Sequence, residues 1–130
     1  MLYLLDTNAV IALLNDAKSR LALRARQHSP ADIGISAVVS HELFYGAFKS
    51  QRIERNVALV DSLQFKVVEF DKEDSRHAGA IRAALGALGS AIGPYDVLIA
   101  GQARARGLVL VSHNLREFKR VPELRVEDWQ

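Results

Sequence analysis

Four carboxylate or carboxamide positions in this chain recur at one kind of place, just past a short apolar run that reads as a strand. Leu2-Tyr3-Leu4-Leu5 runs into Asp6-Thr7-Asn8, and Ile33-Gly34-Ile35 leads to Ser36 and then to Glu42 on the next helix. Gly93-Pro94-Tyr95-Asp96 opens a further helix, and Leu108-Val109-Leu110-Val111 ends at Ser112-His113-Asn114. In an open parallel α/β sheet, ligands bind beyond the carboxyl ends of the strands, where the strand order switches. Oxygen ligands gathered at such a place suit a hard divalent cation such as Mg²⁺.

Asp96 has the strongest individual case. Pro94 belongs in a first helical turn, because its missing N–H is unpaired there in any event. Asp96 therefore lies inside the helix, ahead of Val97-Leu98-Ile99-Ala100 and with no basic residue close in sequence. A buried carboxylate without a cation is costly, whereas one at a helix N-terminus has a favourable charge–dipole interaction. Taken alone, Asp96 fits either role. Asp6-Thr7-Asn8 is also a good capping sequence, Glu42 could be a solvated helix residue, and Asn114 could cap a short helix. The joint pattern is what favours a site.

Other chemistries find less support. His41-Glu42 resembles the start of a zinc-protease helix, but Tyr45 stands where the second histidine is needed. Ser112 and His113 are adjacent, so their side chains diverge, and there is no Gly-x-Ser-x-Gly elbow. Gly86, Gly89 and Gly93 follow a helix and not a strand, which rules out a dinucleotide loop. His28, His41, His77 and His113 share no ligand spacing and read as surface or packing residues.

The elements that must position these residues alternate between strand and helix, as in a parallel α/β sheet. Strands are expected at 2–5, 33–35, 66–70 and 108–111, with a weak one near 124–126. Thr7 is expected to cap a helix through Leu14, and Ser36 to cap the helix carrying Glu42. On that second helix Val39, Leu43 and Ala47 recur at helical spacing with Phe44 and Phe48 alongside, so one face is core and Glu42 sits at its edge. Asp71 and Asp74 open a long helix to about Leu88, ended by the stretch 89–93.

With 130 residues, one domain (1–130) is expected. Apolar residues make up 49% and charged residues 25%, a globular balance that argues against disorder. There is no cysteine, so thiolate zinc sites and disulfides are excluded. Neither a signal peptide nor a membrane span is evident, and a cytoplasmic location is the expectation. The formal charge is +2 and the pI about 9.2. Basicity of this size permits a nucleic-acid partner, although from composition alone ordinary solvated helix faces are the better account of it.

Four stretches resemble one known family. They are Leu4-Leu5-Asp6-Thr7-Asn8, Ser40-His41-Glu42-Leu43-Phe44-Tyr45-Gly46, Ile92-Gly93-Pro94-Tyr95-Asp96-Val97-Leu98-Ile99-Ala100 and Leu110-Val111-Ser112-His113-Asn114-Leu115-Arg116-Glu117-Phe118. In this order they match the pattern of the PIN-domain ribonucleases. The closing Arg120-Val121-Pro122-Glu123-Leu124-Arg125-Val126-Glu127-Asp128-Trp129 is similar to the tail of the VapC toxins in particular. The resemblance implies a three-layer α/β/α domain with a central, mostly parallel sheet. It also implies a Mg²⁺- or Mn²⁺-dependent endoribonuclease acting on structured RNA, tRNA among its targets.

By the same resemblance Asp6, Glu42 and Asp96 are the metal-binding acids. The usual fourth acid falls on Asn114, with Glu117 one helical turn later as the replacement charge. Thr7, Asn8 and Ser112 are implied as supporting polar groups. The implied partners are a second copy of the chain and a cognate VapB-type antitoxin, which together form a higher hetero-oligomer and reach DNA only through the antitoxin. Leu13, Leu14, Phe44 and Phe48 are candidates for packing against it. Two alternatives stand beside this reading. Asn114 leaves room for a PIN domain with weak or no catalysis that serves as a binding partner. A Mg²⁺-binding receiver domain would need a late lysine, and none follows Val111 at the required place.

Overall fold

The computed structural model covers residues 1–130, and the apolar runs form a five-stranded sheet of order β3-β2-β1-β4-β5. The strands are β1 (Tyr3–Leu5), β2 (Ile33–Ser36), β3 (Lys66–Val68), β4 (Val109–Val111) and β5 (Val126–Glu127). Every pairing is parallel. Helices complete the expected three-layer α/β/α arrangement: α1 (Thr7–Asn15), α2 (Arg20–Ala25), α3 (Ala37–Phe48), α4 (Ile53–Asp61), α5 (Lys72–Ala87), α6 (Pro94–Ala105) and α7 (Leu115–Phe118).

Both faces of the central strands are covered, which is why they read as continuous apolar runs. Leu4, Leu5, Ile33, Ile35, Leu110 and Val111 are all buried. The chain runs outward from β1 to β2 and β3, then returns to place β4 on the other side of β1, so the order switches between β1 and β4. Leu5 lies in register with Ile35 on one side and Val111 on the other. Asp6, Ser36 and Ser112 therefore leave the sheet at the same edge.

Helix ends follow local chemistry. Asp71 and Asp74 form a capping box, each side chain accepting from the other's backbone N–H. At the other end of α5 the Gly89 N–H donates to Gly86 and the Ser90 N–H to Leu85, with Gly89 at φ 65. Gly107, at φ 64, closes α6 in the same way, its N–H donating to Arg104 and the Leu108 N–H to Ala103. Both are left-handed closures that favour glycine.

Some expectations are corrected. The cap of α1 is Asp6 and not Thr7: Asp6 Oδ1 accepts from the Ala9 N–H at 2.8 Å, and the Thr7 hydroxyl is directed elsewhere. The third strand ends at Val68, because the Glu69 carbonyl turns to accept from Gln102 and Arg106. The weak last strand lies at Val126–Glu127. Val39, Leu43 and Ala47 are buried as expected, but Phe48 points outward with 60% of its surface exposed.

The closest helix contact joins α5 to α6. Gly101 faces Ala78 so closely that an added Cβ would lie 2.6 Å from Ala78 backbone atoms. Below it Asp74, fully buried, receives Arg106 and Gln102. The C-terminus is held by Trp129, buried against Tyr3 and stacked on His28 with ring centroids 5.2 Å apart.

Candidate active site

Asp6 follows the end of β1, is 4% exposed and accepts from the first turn of α1. Burial pushes its carboxyl above the ordinary carboxylate range, against the Ser112 hydroxyl and the Ala9 N–H, which pull it down; Glu42 adds repulsion. Glu42 is half-buried on α3, and its Oε1 accepts the Thr7 hydroxyl at 2.8 Å. Asp96 lies in the first turn of α6. Its carboxyl is raised to about 7 by burial first, then by the negative charges of Glu117, Asp6 and Glu42. Three separate carboxylates thus act on Asp96 electrostatically, and the topology has brought Asp6, Glu42, Asp96 and Glu117 to one pocket.

Glu117 approaches from α7. Its Oε1 accepts the Gly93 N–H at 2.8 Å, and its Oε2 accepts from the Asn114 side-chain amide. Glu117 thereby holds the start of the helix that carries Asp96. An added Cβ on Gly93 would lie 3.1 Å from Asp96 Oδ2, so backbone and carboxylate are closely fitted there. Asn114 occupies the N-cap position of α7 without a side-chain cap, and its backbone N–H donates to Ser112 Oγ at 2.9 Å. Asn8 is exposed at the rim. The partnership of Glu117 with Gly93 spans 24 residues and has no local sequence signal.

None of the four carboxylates forms a salt bridge with any lysine or arginine. Several of the arginines serve structural contacts away from the pocket: Arg24 meets Glu127, Arg104 meets His77, and Arg106 meets Asp71 and Asp74. The histidines are equally dispersed, with His113 on Asp128 and His41 against Tyr95. No three His, Asp or Glu side chains form a cation cage in this structure. Three of the four acids are turned to protein donors instead: Asp6 to Ala9, Glu42 to Thr7, Glu117 to Gly93. A divalent cation nevertheless fits the chemistry of this donor set, since several carboxylates repel one another around a half-buried Asp96 with no lysine or arginine paired to them, and only the His113 ring pulls Asp6 the other way.

Two grooves flank the pocket. One, about 670 Å³, lies between α5 and α6 and is lined by Ala78, Arg82, Leu85, Tyr95 and Leu98 among others. The other, about 440 Å³, begins at Glu42 and runs between α1, α3 and α4 past Ile11, Leu14 and Leu59. Neither groove contains Asp6 or Asp96.

The PIN domain family pattern matches residues 3–124. The tRNA(fMet)-specific endonuclease VapC of Salmonella typhimurium is 41% identical over 129 residues, covering 98% of this chain and 97% of that protein. Ribonuclease VapC2 of Haemophilus influenzae is 39% identical with the same coverage. Among solved structures, DNA-bound VapBC from Salmonella typhimurium contains a chain that superposes with a TM-score of 0.95 at 41% identity, all of both chains being covered. VapBC2 from Rickettsia felis, bound to a promoter DNA fragment, gives 0.93 at 32% identity, also over the full length of both. Sequence family, strand order and these superpositions agree: this chain belongs to the PIN-domain family and is closely related to the VapC-type toxins of toxin–antitoxin systems.

Proposed function

We propose that this chain is a single PIN domain, residues 1–130, that hydrolyses phosphodiester bonds of structured RNA with the help of Mg²⁺ or Mn²⁺. The observation that carries the reading is the gathering of Asp6, Glu42, Asp96 and Glu117 with no lysine or arginine paired to any of them. Relatedness to VapC ribonucleases supports a toxin that an antitoxin neutralises. Transfer RNA is the first substrate class to try, because a 41% identical relative is named for one.

Asp6, Glu42 and Asp96 would hold the cation, with Asn114 and Glu117 completing the pocket. When bound, such an ion supplies Lewis-acid charge to the attacked phosphate and favours ionisation of the attacking water. The protein's own groups set the geometry. Thr7 orients Glu42, the Ser112 hydroxyl steadies Asp6, and Glu117 fixes the α6 N-terminus from which Asp96 projects. Asn8 at the rim is a further supporting polar group. No nucleophilic side chain is needed.

The protein is proposed to act in the cytoplasm as a homodimer and, with a VapB-type antitoxin, in a larger hetero-oligomer that reaches DNA through the antitoxin. No helix is long and apolar enough to cross a membrane. The groove running from Glu42 past Leu14, with Phe48 exposed on the same helix, is the surface assigned to the antitoxin.

The test is cleavage of total small RNA by the antitoxin-free protein with Mg²⁺, with Mn²⁺ and with EDTA, alongside Asp96→Asn. Discrete products that need the cation and vanish in the variant are expected. A folded protein that binds the cation yet cuts no RNA would turn the reading toward a PIN domain that only binds, with Asn114 as the disabling residue.

A further inference from the structure

Each of two acids in the pocket is preceded in sequence by an exposed ring. His41 comes before Glu42, and Tyr95 comes before Asp96. The two rings meet across α3 and α6 edge to face, with centroids 5.3 Å apart and planes at 60°. Tyr95 keeps 46% of its surface exposed, and His41 is exposed as well. One helical turn beyond His41, Tyr45 is 62% exposed and carries the Lys49 ammonium 4.9 Å from its ring centre. Exposed rings interleaved with a cation, leading out of a phosphate-cutting pocket, have the composition of a single-stranded nucleic-acid platform.

We propose that Tyr95 and His41 form a stacking subsite for the unpaired base next to the cleaved phosphate, and that Tyr45 with Lys49 extends it to the next nucleotide. This rests on the nuclease reading above and adds to it the state of the substrate. The RNA is unstacked at the cut, in a loop or at a mismatch, because a base held in a duplex cannot reach a ring. Stacking accepts any base, so the subsite sets the local shape of the substrate and leaves its sequence unread.

The experiment uses the purified chain in EDTA, where binding is read without cleavage, so a failure of the nuclease reading leaves this one measurable. Affinity is compared for a fluorescent hexaadenylate and for an abasic oligomer with the same phosphates. The wild type should prefer the oligomer with bases, and Tyr95→Leu and His41→Ala should each weaken hexaadenylate by about ten-fold. The abasic oligomer should bind all variants alike. Tyr95→Leu keeps the apolar bulk, and Tyr95→Phe keeps the ring and should bind within two-fold of wild type. With Mg²⁺, the Leu variant should raise KM for RNA much more than it lowers kcat. Equal affinity of the wild type for the two oligomers overturns the proposal. So does a Tyr95→Leu variant that binds hexaadenylate normally, or one whose principal effect is to split a dimer into monomers, since the ring would then face a second copy of the chain.

Discussion

The Thr7 hydroxyl donates to Glu42 Oε1 at 2.8 Å, tying the first turn of α1 to the middle of α3 across 35 residues of sequence. This bond explains why Asp6 and not Thr7 caps α1. Thr7→Val keeps the branched shape and removes only the donor. It is expected to cost about 1 kcal/mol of stability, the usual worth of one hydrogen bond. Its larger effect should be a roughly ten-fold weaker affinity for Mn²⁺, as for other groups that orient a ligand. Calorimetric titration of the cation beside a urea melt separates the two, and unchanged Mn²⁺ affinity would remove Glu42 from the cation site.

Asp96 gives the cation-free protein a pH dependence of unusual sign. Its carboxyl is raised from 3.8 to about 7 by burial and by the neighbouring acids. Between those values the native state binds a proton that the unfolded chain has released, so stability falls as pH rises. That contribution is complete below the ordinary carboxylate value and is lost as pH climbs through about 7. Asp6, raised as well, acts in the same direction. In EDTA the protein is therefore expected to melt higher at pH 5 than at pH 8, and saturating Mg²⁺ should flatten or reverse the difference. A higher melting point at pH 8 in EDTA would contradict this account of the pocket.

How far these features are legible in the sequence depends on their range. The capping box of Asp71 and Asp74 is readable because its partners are three residues apart. The strands around Leu4, Ile35 and Leu110 are readable because burial on both faces leaves a continuous apolar run. Asp6 stands out by its position after β1 and Glu42 by the helix that follows β2, but no strand precedes Asp96, because the chain passes from α5 directly to α6, and only the packed fold brings it to the same edge of the sheet. Thr7 and Asp6 are both good caps, and the choice between them is made by Glu42, far away in sequence. Phe48 has the spacing of a core residue, but periodicity marks an apolar face without saying whether the fold covers it. The contact of Glu117 with Gly93 and that of Arg106 with Asp74 join distant segments, and no local pattern announces either.

Arg106 provides a stability test remote from the pocket acids. It donates to both carboxylate oxygens of the fully buried Asp74 and also to the Glu69 carbonyl. Burial alone would raise the Asp74 carboxyl, yet the Arg106 hydrogen bonds bring it below its ordinary value. Arg106→Ala leaves that buried carboxylate without a cation, held only by the Gln102 amide and the Asp71 N–H. Since the Arg106 side chain is itself 33% exposed, a loss near the lower end for broken buried pairs, on the order of 3 kcal/mol, is expected. Arg106→Lys should recover only part of it, because an ammonium cannot meet both oxygens at once. Urea denaturation reads the effect, and a loss no larger than the roughly 1 kcal/mol of an exposed pair would refute it.

Gly101 and Gly86 should respond to alanine with opposite signs. A Cβ on Gly101 would lie 2.6 Å from Ala78 Cα, Cβ and N, so α6 and α5 must separate. Overpacking of this kind costs about 1–3 kcal/mol. Gly86 has nothing within 4 Å of the same added atom, and in the last turn of a helix the change should stabilise by up to about 1 kcal/mol. Thermal melts of the two variants decide the matter. Because α6 carries Asp96, Gly101→Ala should also lower RNA cleavage, whereas Gly86→Ala should leave it unchanged.

Asp96→Asn should separate function from stability. If the carboxyl holds the cation, its amide keeps one oxygen but loses the charge, and cleavage should fall by at least a hundred-fold, in line with the loss of a group that stabilises transition-state charge. The same change removes the carboxylate that Glu117, Asp6 and Glu42 repel. At pH 8 in EDTA the variant should therefore melt above the wild type, and its melting point should vary less between pH 5 and pH 8. Adding Mg²⁺ should raise the wild-type melting point and move the variant's little. A residue retained only for folding would give the reverse, a variant less stable at every pH with activity falling in proportion to the folded fraction. Loss of cleavage together with a gain in cation-free stability is the combination that a cation-holding carboxylate at position 96 requires.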